Sequence, residues 1–413
     1  MVLRTVPELD TKVIAALADQ KFDYYIFTDL GSTLVKELEA SLDGRFLVVD
    51  HHQLAEEDMV KPTVVNAWSY GYDGGKEACS SSMAFFFAMA IDPANVDLAP
   101  LAVVGALADR QDGGASRSLT GLNGAAAEHA QSTGLLTVTK DLMFSGRETR
   151  PIHEAVALTS FPYLAGLSGN KDAVLNVVHQ SGIPLKDGGS WRTISSLTSE
   201  EKMKLTEAIA GAVGSSEGAT DTLTGLVGTV YTLGFEDPFT PIRDAREYGT
   251  LLNSCGRMRA AGTGIALCLG DRAEALRGAT KILLDYRSAI SGAIQALTSD
   301  RTRFDVKGHL VFVNGEETVE ERLLGPVISI LASTPEFKDK VLVGRASSGD
   351  SELKYSARVG DFYEGEVNLG SVMRVAAEAA AGVGGGHNMA AGAKIQSSRA
   401  EAFSKSVLEQ VPT

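Results

Sequence analysis

Cysteine is scarce: Cys79, Cys255 and Cys268 are the three in 413 residues, far apart and without CxxC spacing. Such usage supports neither a disulfide framework nor a thiolate zinc site, and it suits a reducing, cytoplasmic setting. Long hydrophobic runs are missing too. Nowhere do about 18 apolar residues pass without a charge, and the opening MVLRTVPELD has no basic region followed by an apolar one. No membrane span or signal peptide is therefore read. Positive charge is in deficit, with 38 Lys and Arg against 52 Asp and Glu and a formal charge of −14. An acidic chain of this kind does not coat a phosphate backbone, so any nucleic-acid contact must be local, inside a cleft.

What is present is the balance of an ordinary globular protein, 44% hydrophobic and 22% charged. The length exceeds what one core usually organises, so two or three domains are expected. Residues 2–5, VLRT, read as a short strand, and ELDTKVIAALADQ places apolar positions at helical spacing before the strand-like YYIFTDL. The pattern repeats in LVKELEASL and RFLVVD. Alternation of this kind builds a parallel sheet whose ligands sit at the carboxyl ends of its strands. Helices are expected around 77–91 and 98–108, followed by a compositional shift near 143. That middle stretch contains the helical TSEEKMKLTEAIAGAV and a Gly/Ser/Thr-rich GSSEGATDTLTG, the features of an inserted small domain with a loop at its tip. A long helix over about 271–300 can connect two lobes. Beyond it HLVFVN, KVLVGRA and LKYSARV read as strands, GSVMRVAAEAAA as an amphipathic helix, and GVGGGHNMAAGA follows. No internal repeat is found.

Two aspartates stand at strand ends a short interval apart: Asp29 in IFTDLGS, and Asp50 in LVVDHH with His51 and His52 directly behind it. Asp109 ends an apolar helix-like run, where a carboxylate is costly unless paired or metal-bound. A lone Asp after a strand is more often a turn or cap residue. Three such carboxylates with His-His in one lobe form a rarer combination, and mixed Asp/His ligation suits Mn²⁺ or a similar ion. A second cluster is Gly384, Gly385 and Gly386 before His387. Glycines let backbone N–H groups approach an anion, although most glycine runs are merely turns. Upstream, Ser356 and Arg358 alternate along YSARV, share one face, and can reach the same phosphate oxygens.

DLGS at 29–32, DHH at 50–52, GALAD at 105–109 and GGGH at 384–387 occur in the order of the DHH phosphoesterase motifs. Together with PYLAGLSGN, RDAREYGTLLNSCGRM and GIALCLGD, they make the chain resemble the archaeal RecJ-like branch of that family, which includes the GINS-associated nuclease. The resemblance implies an α/β fold with a parallel-sheet DHH lobe, a smaller α/β C-terminal DHH-associated lobe and a mostly helical insertion. The expected boundaries are 1–142 for the DHH domain, 143–235 for the insert, 236–302 for the rest of the lobe and the connecting helix, and 303–413 for the substrate-binding domain. It also implies a Mn²⁺- or Mg²⁺-dependent exonuclease on single-stranded DNA or RNA. In that reading Asp29, His51 and Asp109 bind metal, Asp50 orients the histidines, His52 sits beside substrate, and Ser356, Arg358, Gly385, Gly386 and His387 hold the phosphate.

Members of the family begin with a strand ending in an HxDxD-type motif, and no HxD tripeptide occurs anywhere in this chain. The two-metal site is accordingly expected to be incomplete. Three explanations stand beside one another: a late start or a fragment, a nuclease-impaired replication scaffold that binds GINS, or a phosphodiesterase acting on short oligonucleotides or a cyclic dinucleotide. Without that first strand the sheet is expected to expose backbone groups, and the chain to melt below a version extended upstream.

Overall fold

The computed structural model describes residues 2–6, 9–54, 56–59, 61–159, 162, 164–214, 223–349, 351–360 and 362–411. The chain divides into two compact units, Met1–Asn253 with Gly264–Arg272, and Ser254–Thr263 with Ala273–Thr413.

In the first unit, α1 (Thr11–Ala18) starts where the Asp10 carboxylate accepts the Val13 N–H at 2.7 Å. Strands β1 (Tyr25–Thr28), β2 (Phe46–Asp50) and β3 (Val64–Asn66) form a parallel sheet in that order, with α2 (Val35–Leu42) between β1 and β2. Every residue of FLVVD in β2 is buried, as the middle strand of a covered parallel sheet requires. Alternation in β1 leaves Ile26 exposed. Residues 2–5, expected as a strand, form none, and Val2 and Leu3 are exposed. Two apolar residues next to each other bury nothing without a neighbouring strand to pair with.

Helices α3 (Ser80–Ile91), α4 (Ala99–Ala108) and α5 (Gly121–Ser132) pack together beside the sheet. The run APLAVVGALA of α4 is apolar on all sides because α4 is mostly buried. An antiparallel ribbon follows, β4 (Leu136–Leu142) paired with β7 (Val227–Leu233) from Leu136↔Leu233 to Leu142↔Val227. Between its strands come α6 (Ile152–Ala157), α7 (Lys171–Gln180), the two-residue strands β5 (Lys186–Asp187) and β6 (Ser190–Trp191), and α8 (Ser199–Val213). This segment has its own core, including Phe144, Ile152, Leu164, Ile194 and Leu205. A reciprocal cap between Thr198 and Glu201 starts α8. Residues 215–222 of the Gly/Ser/Thr-rich piece lie outside the described residues. The chain then enters α9 (Ala245–Arg257) and α10 (Ala261–Cys268).

The long helix α11 (Glu274–Ser299) belongs to the second unit. There β8 (Phe304–Lys307), β9 (Leu310–Asn314), α12 (Glu321–Ala332), β10 (Val341–Ser348), β11 (Glu352–Val359), α13 (Leu369–Ala379), β12 (Val383–Gly386), β13 (Ala390–Gln396) and α14 (Ala400–Gln410) build a six-stranded sheet. Its order is β12-β13-β11-β10-β9-β8, parallel only between β9 and β10. One core packs Tyr355, Met373 and Phe403; another packs Leu324, Ile328 and Leu342. The glycine run is not a loose turn: Gly384, Gly385 and Gly386 pair with β13 as part of a strand.

Candidate metal centre

The polar residues of the first unit converge where its three parallel strands end. Asp29 follows β1 with φ of 66°, a left-handed conformation costly for a residue with a side chain, and its N–H donates to the Val49 carbonyl at 3.1 Å. Asp50 ends β2 and is 1% exposed. Its Oδ1 accepts from the N–H groups of His51 at 2.7 Å and His52 at 3.3 Å and from His52 Nδ1 at 2.8 Å, while Oδ2 accepts from the Ser32 N–H at 3.2 Å. Burial opposes its charge, yet these donors outweigh burial and hold the Asp50 carboxyl well below the usual carboxylate range. Asn66 ends β3, and its Nδ2 donates to Ser32 Oγ at 2.8 Å and to the His52 carbonyl at 2.9 Å.

His51 is buried, with Nδ1 2.5 Å from the Gly74 carbonyl oxygen and Nε2 3.3 Å from Asp29 Oδ1. A carbonyl only accepts, so Nδ1 carries a proton and Nε2 is the nitrogen able to offer a lone pair. Burial disfavours the charged ring, but Asp29, Asp109 and the Gly74 carbonyl overcome it and push His51 up to about 9. The Gly74 approach admits no side chain, because a Cβ there would lie 1.9 Å from the His51 carbonyl oxygen. His52 is raised as well, first by its hydrogen bond to Asp50.

Asp109 terminates α4, and its Oδ2 lies 3.8 Å from His51 Nδ1 and 2.8 Å from Gln111 Nε2. Surrounding protein raises its pKa, against the pull of His51 and Gln111. Asp29 and Asp109 line one pocket of about 380 Å³, together with Ser80 and Ser81 from the start of α3, and Asn253. Asp29, Asp50, His51 and His52 each place one donor atom within 4.8 Å of the others. Asp50 already accepts from four N–H groups, so the donors left in that group are Asp29, His51 Nε2 and His52 Nε2; Asp109 stands outside it, its Oδ2 3.8 Å from His51 Nδ1. Hard oxygens plus imidazole fit Mn²⁺ or Mg²⁺ better than a thiolate-seeking ion.

In the second unit, Arg358 Nε donates to Ser329 Oγ at 2.7 Å and Nη1 to Ser356 Oγ at 3.1 Å. Register aligns Ser356 with Gly392 and Gly392 with Gly385, while Arg358 lies opposite Ala390, whose carbonyl accepts the His387 N–H at 2.8 Å. The structure thus places Ser356 with Gly385 and Arg358 with His387 in two rows on either side of the Ala357–Ala391–Gly386 row. At Gly386, with φ of 142°, a Cβ would meet the Ala391 backbone at 2.6 Å; at Gly385 it would meet nothing within 4 Å.

Sequence reasoning did not find Gln111, Gly74, Asn66, Ser32 or Asn123. Ser32 closes the DLGS motif and Asn66 closes a β-branched run, and the other three carried no such signal.

Family models match the chain at a DHH-CID domain over residues 144–227 and a DHHA1 domain over 308–412. The chain thus carries regions that match a DHH-CID and a DHHA1 domain, and its fold is similar to those of RecJ and CDC45. More particularly, the fold is similar to that of CDC45 from Entamoeba histolytica, with a TM-score of 0.62 and 11% identity over 97% of this chain and 88% of that one. It is likewise similar to RecJ from Thermus thermophilus, solved in complex with Mn²⁺, with a TM-score of 0.55 and 16% identity over 98% of this chain and 47% of that one. In sequence, the chain is 26% identical over 414 aligned positions to an uncharacterized protein of Methanocaldococcus jannaschii, covering 98% of this chain and 85% of that protein. Among the described residues no helix is long and apolar enough to cross a membrane.

Proposed function

We propose that the chain is a metal-dependent phosphoesterase of RecJ-like type, an exonuclease on single-stranded DNA or RNA. The observation that carries this is the commitment of His51 Nδ1 to the Gly74 carbonyl, which leaves Nε2 directed at Asp29 beside a pocket that Asp109 also lines. Asp29, His51 and Asp109 would hold Mn²⁺, or Mg²⁺, and the fold similarity to a RecJ solved with Mn²⁺ supports that choice. Such an ion supplies Lewis acidity, easing deprotonation of water and stabilising charge on a phosphate oxygen. Asp50 orients both histidines. His52, with Nδ1 tied to Asp50, has Nε2 available to give a proton to substrate. Ser356, Arg358, Gly385, Gly386 and His387 bind the phosphate, and the open space above Gly385 lets a ligand approach its backbone.

We assign residues 1–142 and 236–302 to the DHH lobe and its connecting helix, 143–235 to the insert and 303–413 to the substrate-binding domain, although by compactness Ser254–Thr263 and the connecting helix group with the last of these. Single strands labelled at the 5′ or 3′ end, incubated with Mn²⁺, should release mononucleotides, and Asp29→Ala should abolish release. If neither wild-type label is released, the enzyme reading is lost.

A second reading is favoured by the independent core of the insert and by the CDC45-like fold: a replication-associated protein that docks GINS through residues 143–235. Both roles can reside in one chain. Pull-down with GINS subunits should fail once the insert is deleted, and unchanged binding excludes it as the dock.

A further inference from the structure

A chain of buried amides runs from the start of α3 to the candidate metal ligands, and its direction is fixed at its origin. The Cys79 backbone N–H, which can only donate, points at Asn123 Oδ1 at 3.0 Å, and Ser82 Oγ donates to the same oxygen at 2.7 Å. Asn123 Nδ2 must then face outward, where it donates to Gln111 Oε1 at 2.7 Å. The Gln111 amide has in turn one orientation: Nε2 donates to Asp109 Oδ2 at 2.8 Å and to the Gly74 carbonyl at 2.8 Å. That carbonyl is the acceptor of His51 Nδ1, so its two lone pairs are shared between the imidazole and Gln111. Asn123 and Gln111 are 0% and 2% exposed, and each amide nitrogen and oxygen of the relay has a hydrogen-bond partner.

We propose that Gln111 is a positioning residue of the metal centre: it aims the Asp109 carboxylate and fixes the carbonyl that holds His51 with Nε2 free. The inference rests on the metal reading above and deepens it by naming what holds its ligands. A neutral amide suits the task because it donates to Asp109 without placing a positive charge beside a cation. Lysine would add that charge, and glutamate would turn a carboxylate toward another carboxylate. The relay also explains why Asp109, at a helix end with 47% of its side chain exposed, has a defined direction.

The test is Mn²⁺ titration of the full chain, following free Mn²⁺ by electron paramagnetic resonance, with metal-free melting as the fold control. Wild type, Asp29→Ala, Gln111→Met and Asn123→Asp are compared. Gln111→Met keeps the volume and removes the three hydrogen bonds named above; Asn123→Asp keeps the acceptor for Cys79 and Ser82 and replaces the donor that orients Gln111 with a buried carboxylate oxygen. Loss of a group that orients metal ligands typically weakens metal binding about 10–100-fold, and that is the result expected for Gln111→Met, with Asn123→Asp weakened in the same direction. A folded Gln111→Met with wild-type affinity overturns the proposal; if that variant does not fold, Asn123→Asp decides by the same criterion. Should wild type and Asp29→Ala bind Mn²⁺ equally poorly, the metal reading itself fails and takes this inference with it. Specific wild-type binding with unaffected relay variants removes the inference alone.

Discussion

At the scale of single residues, the centre depends on side chains that touch other side chains. Asp50 is the clearest, since one buried carboxylate receives four N–H donors. Asp50→Asn, with its one oxygen kept for the three donors now at Oδ1, turns an amide nitrogen toward the Ser32 N–H, which needs an acceptor. It should cost ~1–3 kcal/mol of stability by leaving a buried donor unpaired, and weaken Mn²⁺ binding about 10–100-fold; chemical denaturation and metal titration measure the two. Proton competition at His51 has a definite sign. With its pKa pushed up to about 9, the ring must lose a proton before Nε2 can ligate, so apparent Mn²⁺ affinity should rise with pH until about 9 and then level off. Titrations at several pH values check this, and a flat profile from neutral to alkaline pH excludes His51 as a ligand. Asp29, Asp50, His51, His52 and Asp109 were legible in the sequence because acids and imidazoles at element ends are conspicuous. Gln111, Asn123 and Gly74 were not, because their roles come from loops that meet only after folding. Nothing local distinguishes a glutamine bridging two loops from one facing water.

Secondary elements were read with less trouble where one pattern dominated. The buried run of β2 and the apolar α4 stood where their composition placed them, and α8 began at its reciprocal cap. Residues 2–5 did not make a strand, since pairing requires a neighbour that four residues cannot specify. The glycine run became a strand because Gly384 and Gly386 lie against backbone where no side chain fits. Where the insert meets α9, half-buried Glu247 accepts from the Glu148 N–H at 2.8 Å and Thr149 Oγ1 at 2.9 Å, while Arg147 pairs with Asp141 at 2.5 Å and approaches Asp244 at 3.8 Å. Burial, then the Asp244 charge, pushes Glu247 up to about 7 from 4.5. The folded form therefore holds the proton more tightly than the unfolded chain, so this group's contribution to stability falls as pH rises through that window. Glu247→Gln, whose oxygen still accepts the Glu148 N–H while its NH2 can donate to the Thr149 hydroxyl, should melt with a flatter pH dependence than wild type over the window. Identical slopes in differential scanning calorimetry remove Glu247 as the cause.

For the whole molecule, the α/β class and the order of its parts were readable, because alternating strands and helices leave few topologies. How the insert is attached was not, since β4 and β7 are separated by the entire segment they carry. Its two ends leave on hydrogen-bonded neighbours: Leu142 faces Val227, and the Met143 N–H donates to the Leu226 carbonyl at 2.9 Å. Replacing residues 144–226 with a short turn should therefore leave a folded protein whose Mn²⁺ affinity is close to wild type, measured by the same titration. Loss of metal binding in a folded deletion variant would place part of the centre's support within the insert. A module grafted onto a paired stem adds no long crossover to the backbone that bears it. Such a graft can be exchanged or enlarged during evolution while the parallel sheet that carries the candidate metal centre keeps its own sequence constraints, so the two parts are free to diverge at different rates.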